Sequence, residues 1–77
     1  MKAIVLSPEK KLFESEVDYV KVPGAKGSFE ILPHHAPIIS SLVKGDVVCR
    51  GSNDFQINIT SGFVEVSSDI VTICVEC

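Results

Sequence analysis

Residues 22–45 read Val22-Pro-Gly-Ala-Lys-Gly-Ser-Phe-Glu-Ile-Leu-Pro-His-His-Ala-Pro-Ile-Ile-Ser-Ser-Leu-Val-Lys-Gly45, and this stretch decides the class of fold. Three prolines and three glycines interrupt its short apolar runs. Proline lacks the amide donor that a helix needs and glycine favours turns, so no helix can continue through most of it. Pro23-Gly24 and Gly27 predict a tight turn, and two further prolines bracket His34-His35. We therefore predict a shaped loop surface that is better suited to docking than to catalysis.

The sequence around this stretch consists of short strand-like runs separated by turn-forming residues. In the clearest run, Phe55-Gln-Ile-Asn-Ile-Thr60, apolar residues alternate with polar ones and therefore share one face of a strand. Turn signals at Ser61-Gly62 and Ser67–Asp69 predict an antiparallel meander through the last three runs. The predicted strands are Lys2–Leu6, Val17–Val22, Ser28–Leu32, Asp46–Arg50, Phe55–Thr60, Phe63–Val66 and Ile70–Val75.

Two segments depart from this strand pattern. After Pro37, apolar residues recur at helical spacing up to Gly45, so a short helix is an alternative there. In the second predicted strand Val17 has the opposite phase from Val20, which predicts a bulge or a change of face near Tyr19. The residues with helical spacing are Ile38, Ile39, Leu42 and Val43.

Length and composition describe one globular domain that spans residues 1–77. Hydrophobic residues make up 45% of the chain and charged residues 22%, which is ordinary for a folded protein. Many short strands separated by regular turn signals, with no long helical pattern, are typical of all-β folds. We therefore predict a small antiparallel β-sandwich or barrel.

Charge and hydropathy exclude several classes of partner. The chain carries ten acidic and seven basic residues, and its bases are scattered, so nucleic acid is not an expected partner. No apolar run approaches the ~20 residues that span a bilayer, and no signal peptide is recognisable, so we expect a soluble cytoplasmic protein without direct membrane insertion. The three cysteines follow no disulfide or zinc spacing and are expected to be free thiols. They are Cys49, Cys74 and Cys77.

Few residues combine into a catalytic or ligand-binding pattern. A cupin-like metal enzyme would use His34 or His35 with Glu30, but adjacent residues on an extended chain point to opposite faces. The pattern Gly24-x-x-Gly27-Ser28 lacks the spacing and the lysine of a phosphate-binding loop, so no nucleotide is expected. No nucleophile motif is present, and we predict no catalytic residue, metal or cofactor. Three acids that share one strand face are expected to be exposed edge charges, namely Glu14, Glu16 and Asp18.

Three blocks follow one another along nearly the whole chain. They are Leu6-Ser-Pro-Glu-Lys-x-Leu-Phe-x-Ser-Glu-Val17, Pro23-Gly-x-x-Gly-Ser-Phe-x-Ile-Leu-Pro-x-His-Ala-Pro-Ile-Ile-Ser40 and Gly62-Phe-Val-Glu-Val66. Each block alone is a weak signal, but their joint order and spacing are specific. In this combination they resemble the epsilon subunit of F-type ATP synthase.

This resemblance implies a flattened β-sandwich of about ten short strands, in which Ile38–Leu42 is extended rather than helical. It implies a non-catalytic rotor subunit of the central stalk, between the gamma shaft and the membrane ring of c subunits. Such a subunit couples proton or sodium flow to ATP synthesis and is peripheral on the cytoplasmic face of the bacterial inner membrane. Family members continue into a helical hairpin that restrains ATP hydrolysis and in some species binds ATP. This sequence stops at Cys77, so the resemblance covers the sandwich without that inhibitory hairpin.

The resemblance also implies roles for individual residues. At two positions the family usually has glycine where this chain has Glu30 and His34, so we expect local strain if those positions have positive φ. A free-standing β-sandwich that binds a small ligand or peptide through its loops remains the alternative. The residues implied in contact with the c-ring are Lys26, Gly27 and Ser28. Those implied in contact with gamma are Ser7, His35 and Ser40.

Overall fold

The computed structural model describes all 77 residues, Met1–Cys77, and its regular elements are all strands. It contains no helix that is long and apolar enough to cross a membrane. The prediction of an all-β fold is confirmed. The strands are β1 (Lys2–Leu6), β2 (Lys11–Gly24), β3 (Gly27–Ile31), β4 (Ile38–Leu42), β5 (Gly45–Gly51), β6 (Phe55–Ile59), β7 (Ser61–Ser67) and β8 (Ile70–Glu76).

Strand pairing divides the protein into two sheets that share β2. The first sheet has the order β2-β1-β8-β7-β4, and the second has the order β3-β2-β5-β6. All pairs are antiparallel except β1 and β8, which run parallel. A pairing between Gly24, at the far end of β2 in the second sheet, and Leu42 of β4 joins the second sheet to the β4 edge of the first. The structure has eight strands where about ten were expected, in part because the 14-residue β2 serves both sheets without a break.

A bulge marks the point where β2 passes from the first sheet to the second. Val17 pairs with Gly51 and Tyr19 pairs with Arg50, and the register shifts between these two pairs. A Cβ atom at position 51 would lie 2.4 Å from the Cα of Val17, so only glycine allows the two backbones to approach this closely. The predicted bulge near Tyr19 is confirmed.

The core lies between the two sheets and is built from alternate positions along the strands. Fifteen apolar residues are buried in one cluster, and no polar or charged residue is buried with them. Phe13 of the first sheet stacks on Phe55 of the second, with ring centroids 4.8 Å apart. The molecule measures 26 × 25 × 17 Å, a flattened shape that suits two sheets packed face to face about 10 Å apart. The predicted sandwich is confirmed.

The helical alternative after Pro37 is wrong. Residues 38–42 form β4, which pairs with β7 from Ile38↔Val66 to Leu42↔Gly62. An isolated helix of this length is marginal in water, whereas antiparallel pairing with β7 gives alternate residues of β4 backbone hydrogen bonds. The extended conformation sends the adjacent residues Ile38 and Ile39 to opposite faces, and Ile39 is therefore exposed.

The meander predicted for the last three strands is only partly correct. β7 and β8 form the expected antiparallel hairpin, but β6 pairs with β5 rather than with β7. Thr60 separates β6 from β7 and takes the chain from the second sheet to the first. Its backbone amide and its hydroxyl both donate to the carbonyl of Glu76, at 2.8 and 3.0 Å. The turn predicted at Ser61-Gly62 is therefore wrong, because both residues lie in β7 and only Thr60 separates the two strands, which belong to different sheets.

Candidate docking surfaces

The outer face of the first sheet has an apolar centre. Cross-strand pairing places Leu6, Cys74 and Phe63 side by side on three neighbouring strands. Ile4 and Ile39 lie at the two ends of the adjacent row, with Thr72 and Glu65 between them. Phe63 is 48% exposed and Ile39 is 76% exposed, although both side chains are large and apolar. We call these five residues the apolar face. Contiguous apolar side chains on an outer sheet surface are typical of an interaction site.

Charged side chains border the apolar face along the first half of β2. Glu14 lies beside Ile4, and its carboxylate accepts hydrogen bonds from the ammonium groups of Lys11 and Lys2, the latter at 2.6 Å. These two partners, Lys11 foremost, lower the pKa of Glu14 to about 2. The predicted exposure of the acids on this strand is confirmed for Glu14, Glu16 and Asp18.

Ser7 lies at one end of the apolar face, beside a groove. The groove has a volume of about 310 Å³ and a mainly apolar lining that includes Leu6, Pro8 and Phe63. The hydroxyl of Ser7 accepts a hydrogen bond from the amide of Lys10 at 3.2 Å and donates to its carbonyl at 3.1 Å. The serine therefore stabilises the turn between β1 and β2 as well as lining the groove.

The outer face of the second sheet is polar. The Tyr19 hydroxyl donates to Glu30 at 3.2 Å, and the Asn58 amide donates to Asp46 at 2.9 Å. Burial, with the hydrogen bond to Glu30, raises the pKa of Tyr19. Glu30 lies in regular β3 and not at positive φ, so the strain expected there is absent. We call this surface the polar face; its members are Tyr19, Lys21, Glu30, Asp46, Arg50, Gln56 and Asn58.

The predicted c-ring contacts lie at the β2–β3 hairpin. Lys26, Gly27 and Ser28 are all exposed, and Gly27 has φ 123°, which favours glycine. Two backbone hydrogen bonds brace the hairpin against the end of β4, from Ala25 to the Ser41 carbonyl at 3.2 Å and from Val43 to the Pro23 carbonyl at 2.9 Å. We call residues 23–29 the hairpin tip.

One concavity joins the hairpin tip to β4. Its volume is about 600 Å³, and Ile39, Ser40 and Ser41 line it together with residues 24–29. Ser40 is half-buried and its hydroxyl donates to the Ser41 carbonyl at 3.2 Å. The structure therefore brings Ser40, which the resemblance assigned to gamma, next to residues assigned to the c-ring.

The two histidines lie in the loop between β3 and β4 and make different contacts. His34 has φ 68°, so the strain expected at this family glycine position is present. Its amide donates to Oδ1 of Asp69 at 2.9 Å, and this bond is the main cause of the lowered pKa of Asp69. The His35 ring donates from Nδ1 to the Ala36 carbonyl at 2.7 Å. No three His, Cys, Asp or Glu side chains come together in a group that could hold a metal ion.

Three predicted gamma contacts thus occupy three different surroundings: Ser7 the groove, Ser40 the concavity and His35 the loop. The sequence interpretation missed the apolar face. A usable signal was present in the pairs Ile38-Ile39 and Phe63-Val64. Adjacent large apolar residues on one strand must point to opposite faces, so one member of each pair has to be exposed.

Fold and surfaces together define a small β-sandwich docking domain with one apolar and one polar outer face. The model of the β-sandwich domain of the ATP synthase delta/epsilon chain matches residues 1–77, and the chain belongs to this family.

Similar proteins include the ATP synthase epsilon chain of Leptospira borgpetersenii, which is 44% identical over 70 residues, 90% of this chain and 55% of that protein. The epsilon chain of Caulobacter vibrioides is 38% identical over 73 residues, 94% of this chain and 85% of that protein. The chain spans about half the length of most of the curated relatives it matches.

Two solved structures share the fold. A chain in the central stalk and c-ring structure of the Tetrahymena thermophila mitochondrial ATP synthase superposes with a TM-score of 0.85 at 15% identity. The match covers 99% of this chain and 63% of that one. A chain of the Euglena gracilis mitochondrial ATP synthase also gives a TM-score of 0.85, at 18% identity over 95% of this chain and 48% of that one. At these identities the likeness supports the sandwich fold.

Proposed function

We propose that this domain is a non-catalytic rotor module of an F-type ATP synthase, which links the gamma shaft to the c-ring. In this role it couples proton or sodium flow through the membrane to ATP synthesis. The observation that carries the proposal is the family match over all 77 residues. The work assigned to the domain is mechanical, so it requires broad and rigid contact surfaces rather than a reactive group.

The difference between the two outer faces supports a specific orientation. The apolar face, with the groove beside Ser7, offers the kind of desolvated centre on which stable protein interfaces depend. The polar face satisfies many of its own polar groups through cross-strand hydrogen bonds, such as Asn58 to Asp46. We therefore assign the gamma contact to the apolar face and expect the polar face to stay exposed to solvent.

The hairpin tip is assigned to the c-ring. Lys26, Gly27 and Ser28 project at a tight turn that two hydrogen bonds hold against β4. A turn that is already held by hydrogen bonds loses little conformational entropy on docking. The free energy of binding is therefore not reduced by a cost of ordering the loop. Ser40 lines the concavity behind this tip, and we assign it to the same contact rather than to gamma.

His35 is kept as a gamma contact in this proposal. It is half-buried in the loop between β3 and β4, two residues before Pro37, which restricts the backbone. We place the module at the cytoplasmic surface of the bacterial inner membrane, as a peripheral component. The curated relatives named above are bacterial, which supports this location.

The deciding experiment is co-elution of the chain with gamma from the same source on a sizing column. Phe63→Glu places a charge at the centre of the apolar face and should abolish co-elution. Val48→Glu is the matched control, because Val48 lies on the outer surface of the second sheet between Lys21 and Gln56. Circular dichroism should show a β-rich spectrum for all three proteins.

Either outcome of that experiment is informative. Loss of binding in Phe63→Glu with retention in Val48→Glu supports both the rotor assignment and the orientation. Equal binding by all three proteins would contradict the orientation alone. A folded wild-type chain that does not bind gamma would favour a free-standing binding module.

A further inference from the structure

Strand β6 is an open edge of the second sheet. It pairs with β5 on one side, from Cys49↔Phe55 to Gly45↔Ile59, and with no strand on the other. None of the eight backbone hydrogen bonds outside the strand ladders involves residues 55–59. Antiparallel pairing engages the backbone of alternate residues, so the remaining amide and carbonyl groups of β6 point away from the sheet. These groups are free to pair with a further strand.

The other open edges carry features that oppose strand addition. The first half of β2 holds one lysine and two glutamates, and β3 holds Glu30. The hairpin tip covers part of the free side of β4, where the Ala25 amide donates to the Ser41 carbonyl at 3.2 Å. Edge charges and covering segments are the usual means by which sheets avoid edge-to-edge association. The sequence of β6, Phe-Gln-Ile-Asn-Ile, contains no charge, proline or glycine, so this edge is left without such protection.

The side chains of β6 are complementary to a second copy of the same strand. An antiparallel register centred on Ile57 pairs all five residues and keeps the polar side against the polar side. It sets Gln56 of each copy opposite Asn58 of the other, so that amide faces amide. On the inner side Ile57 faces Ile57, and Phe55 faces Ile59. This register therefore contains no pair of like charges, and its facing side chains match in polarity.

Strand addition at this edge would also bury apolar surface. Phe55 and Ile57 pack against the core but are only half-buried. On the side of β5 Ile57 has the buried Val47 as its cross-strand neighbour, and on the open side it has none. A second β6 would cover these two side chains with its own isoleucines. Hydrophobic burial and backbone pairing thus favour the same contact.

We infer that β6 binds β6 of a second copy of this chain, antiparallel and centred on Ile57, so that the second sheets of the two copies become one continuous sheet. The edge belongs to the second sheet, whereas the gamma contact is assigned to the outer face of the first. The inference is therefore independent of the proposed function. A contact between two five-residue strands is small, so the dimer should depend strongly on protein concentration.

The test is analytical ultracentrifugation of the full chain at concentrations from roughly 1 μM to 1 mM. The mean mass of the wild type should rise from 8.3 kDa toward twice that value. The variant with Gln56→Lys and Asn58→Lys sets lysine opposite lysine in both symmetric pairs, and it should associate about tenfold more weakly. Circular dichroism at low concentration checks that each protein is folded.

A charge-swapped variant is the matched control. Gln56→Glu with Asn58→Lys sets glutamate opposite lysine in the same two pairs and should associate at least as tightly as the wild type. Both charges also suit the single chain, because Arg50 donates to Gln56 at 3.5 Å and Asp46 accepts from Asn58 at 2.9 Å. This variant keeps the test decisive even if the double-lysine variant does not fold.

Three results would overturn the inference. The first is a wild-type chain that stays at 8.3 kDa over the whole concentration range. The second is weakened association of the charge-swapped variant, which would exclude the register in which positions 56 and 58 face each other. The third is loss of association in Phe63→Glu with retention in the double-lysine variant, which would assign the contact to the apolar face. None of these results bears on co-elution with gamma, so a failure here is distinguishable from a failure of the proposed function.

Discussion

The backbone amide of His34 donates a hydrogen bond to Oδ1 of Asp69 at 2.9 Å, across 35 positions of sequence. Both residues have left-handed backbone conformations, with φ 68° for His34 and 61° for Asp69. The bond joins the loop before β4 to the turn between β7 and β8. Two residues in a disfavoured conformation thus hold together the connections at one end of the first sheet.

Replacement of His34 by glycine should stabilise the fold. Glycine adopts φ 68° without the Cβ clash, which costs about 1–2 kcal/mol for other residues, and this gain exceeds the entropy that glycine adds to the unfolded chain. We expect the free energy of unfolding to rise by roughly 0.5–1 kcal/mol, measured by urea denaturation. His35→Gly, at a position without positive φ, should instead lower it. A lower midpoint for His34→Gly would show that the side chain outweighs the backbone strain.

Acid should destabilise the wild type more than Glu14→Gln. Hydrogen bonds from Lys11 and Lys2 lower the pKa of Glu14 from 4.5 to about 2, so its contribution to stability is complete above pH 4.5 and is lost as the pH falls toward 2. Glutamine at this position never makes that contribution. The difference in unfolding free energy between the two proteins should therefore narrow from pH 6 to pH 2. Urea denaturation at each pH measures this difference.

The control for this prediction is Glu9→Gln, which removes an exposed acid that forms no ion pair in the structure. It should retain the acid dependence of the wild type. Parallel pH profiles for the wild type and Glu14→Gln would contradict the assigned role of the two lysines.

Alanine at position 62 should disrupt the β7–β8 hairpin. A Cβ atom there would lie 2.3 Å from the Cys74 carbonyl oxygen, which belongs to the backbone and cannot rotate away. We expect a loss of about 1–3 kcal/mol, comparable with overpacking elsewhere. Ser61→Ala, at the exposed neighbouring position, should stay within about 0.5 kcal/mol of the wild type in the same thermal unfolding measurement. Equal stabilities would mean that the hairpin can shift to admit the methyl group.

The three thiols should react with iodoacetamide in a defined order. Cys77 is exposed, Cys74 is half-buried and Cys49 is fully buried, and burial raises the pKa of the Cys49 thiol to about 11. Because the thiolate is the reactive form, Cys49 should remain unlabelled at pH 8 until urea unfolds the chain. Mass spectrometry of peptides over time gives the order directly. Early labelling of Cys49 would contradict its place in the core.

Labelling also reports on the proposed gamma interface. Cys74 belongs to the apolar face and lies beside Phe63, so binding of gamma should slow its alkylation severalfold relative to the free chain. In Phe63→Glu, mixed with gamma, Cys74 should react as in the free chain. Unchanged reactivity of Cys74 in a verified complex would place gamma on another surface.

The sequence predicted the fold well wherever one face of a strand is buried. Lys2–Leu6 was predicted with the bounds that the structure shows, and Phe55–Ile59 shows the predicted alternation. The first half of β2 was missed because Lys11–Glu16 lies at a sheet edge and carries charges that obscure its alternation. The pairing of β6 was mispredicted, because serine and glycine after a strand do not reveal whether the next strand stays in the same sheet.

The surfaces were less predictable than the fold. The turn at Lys26 followed from the local chemistry of glycine and proline, which needs no knowledge of distant residues. The apolar face depends on the register between strands far apart in sequence, such as Leu6 with Cys74 and Cys74 with Phe63. Sequence spacing within one strand contains no information about that register. For the same reason, the sequence did not predict that Ser40 lies close to the hairpin tip.

The passage of β2 through both sheets has a mechanical consequence. In a β-sandwich whose two sheets are joined only by loops, a shearing force on one sheet is resisted mainly by side-chain packing, and the sheets can slide past each other. Here the layers share one continuous backbone from Lys11 to Gly24, so sliding would require that strand to stretch or to release its ladder bonds together. A load applied at one surface is thus carried to the other through covalent bonds, and the domain resists deformation as a single stiff body.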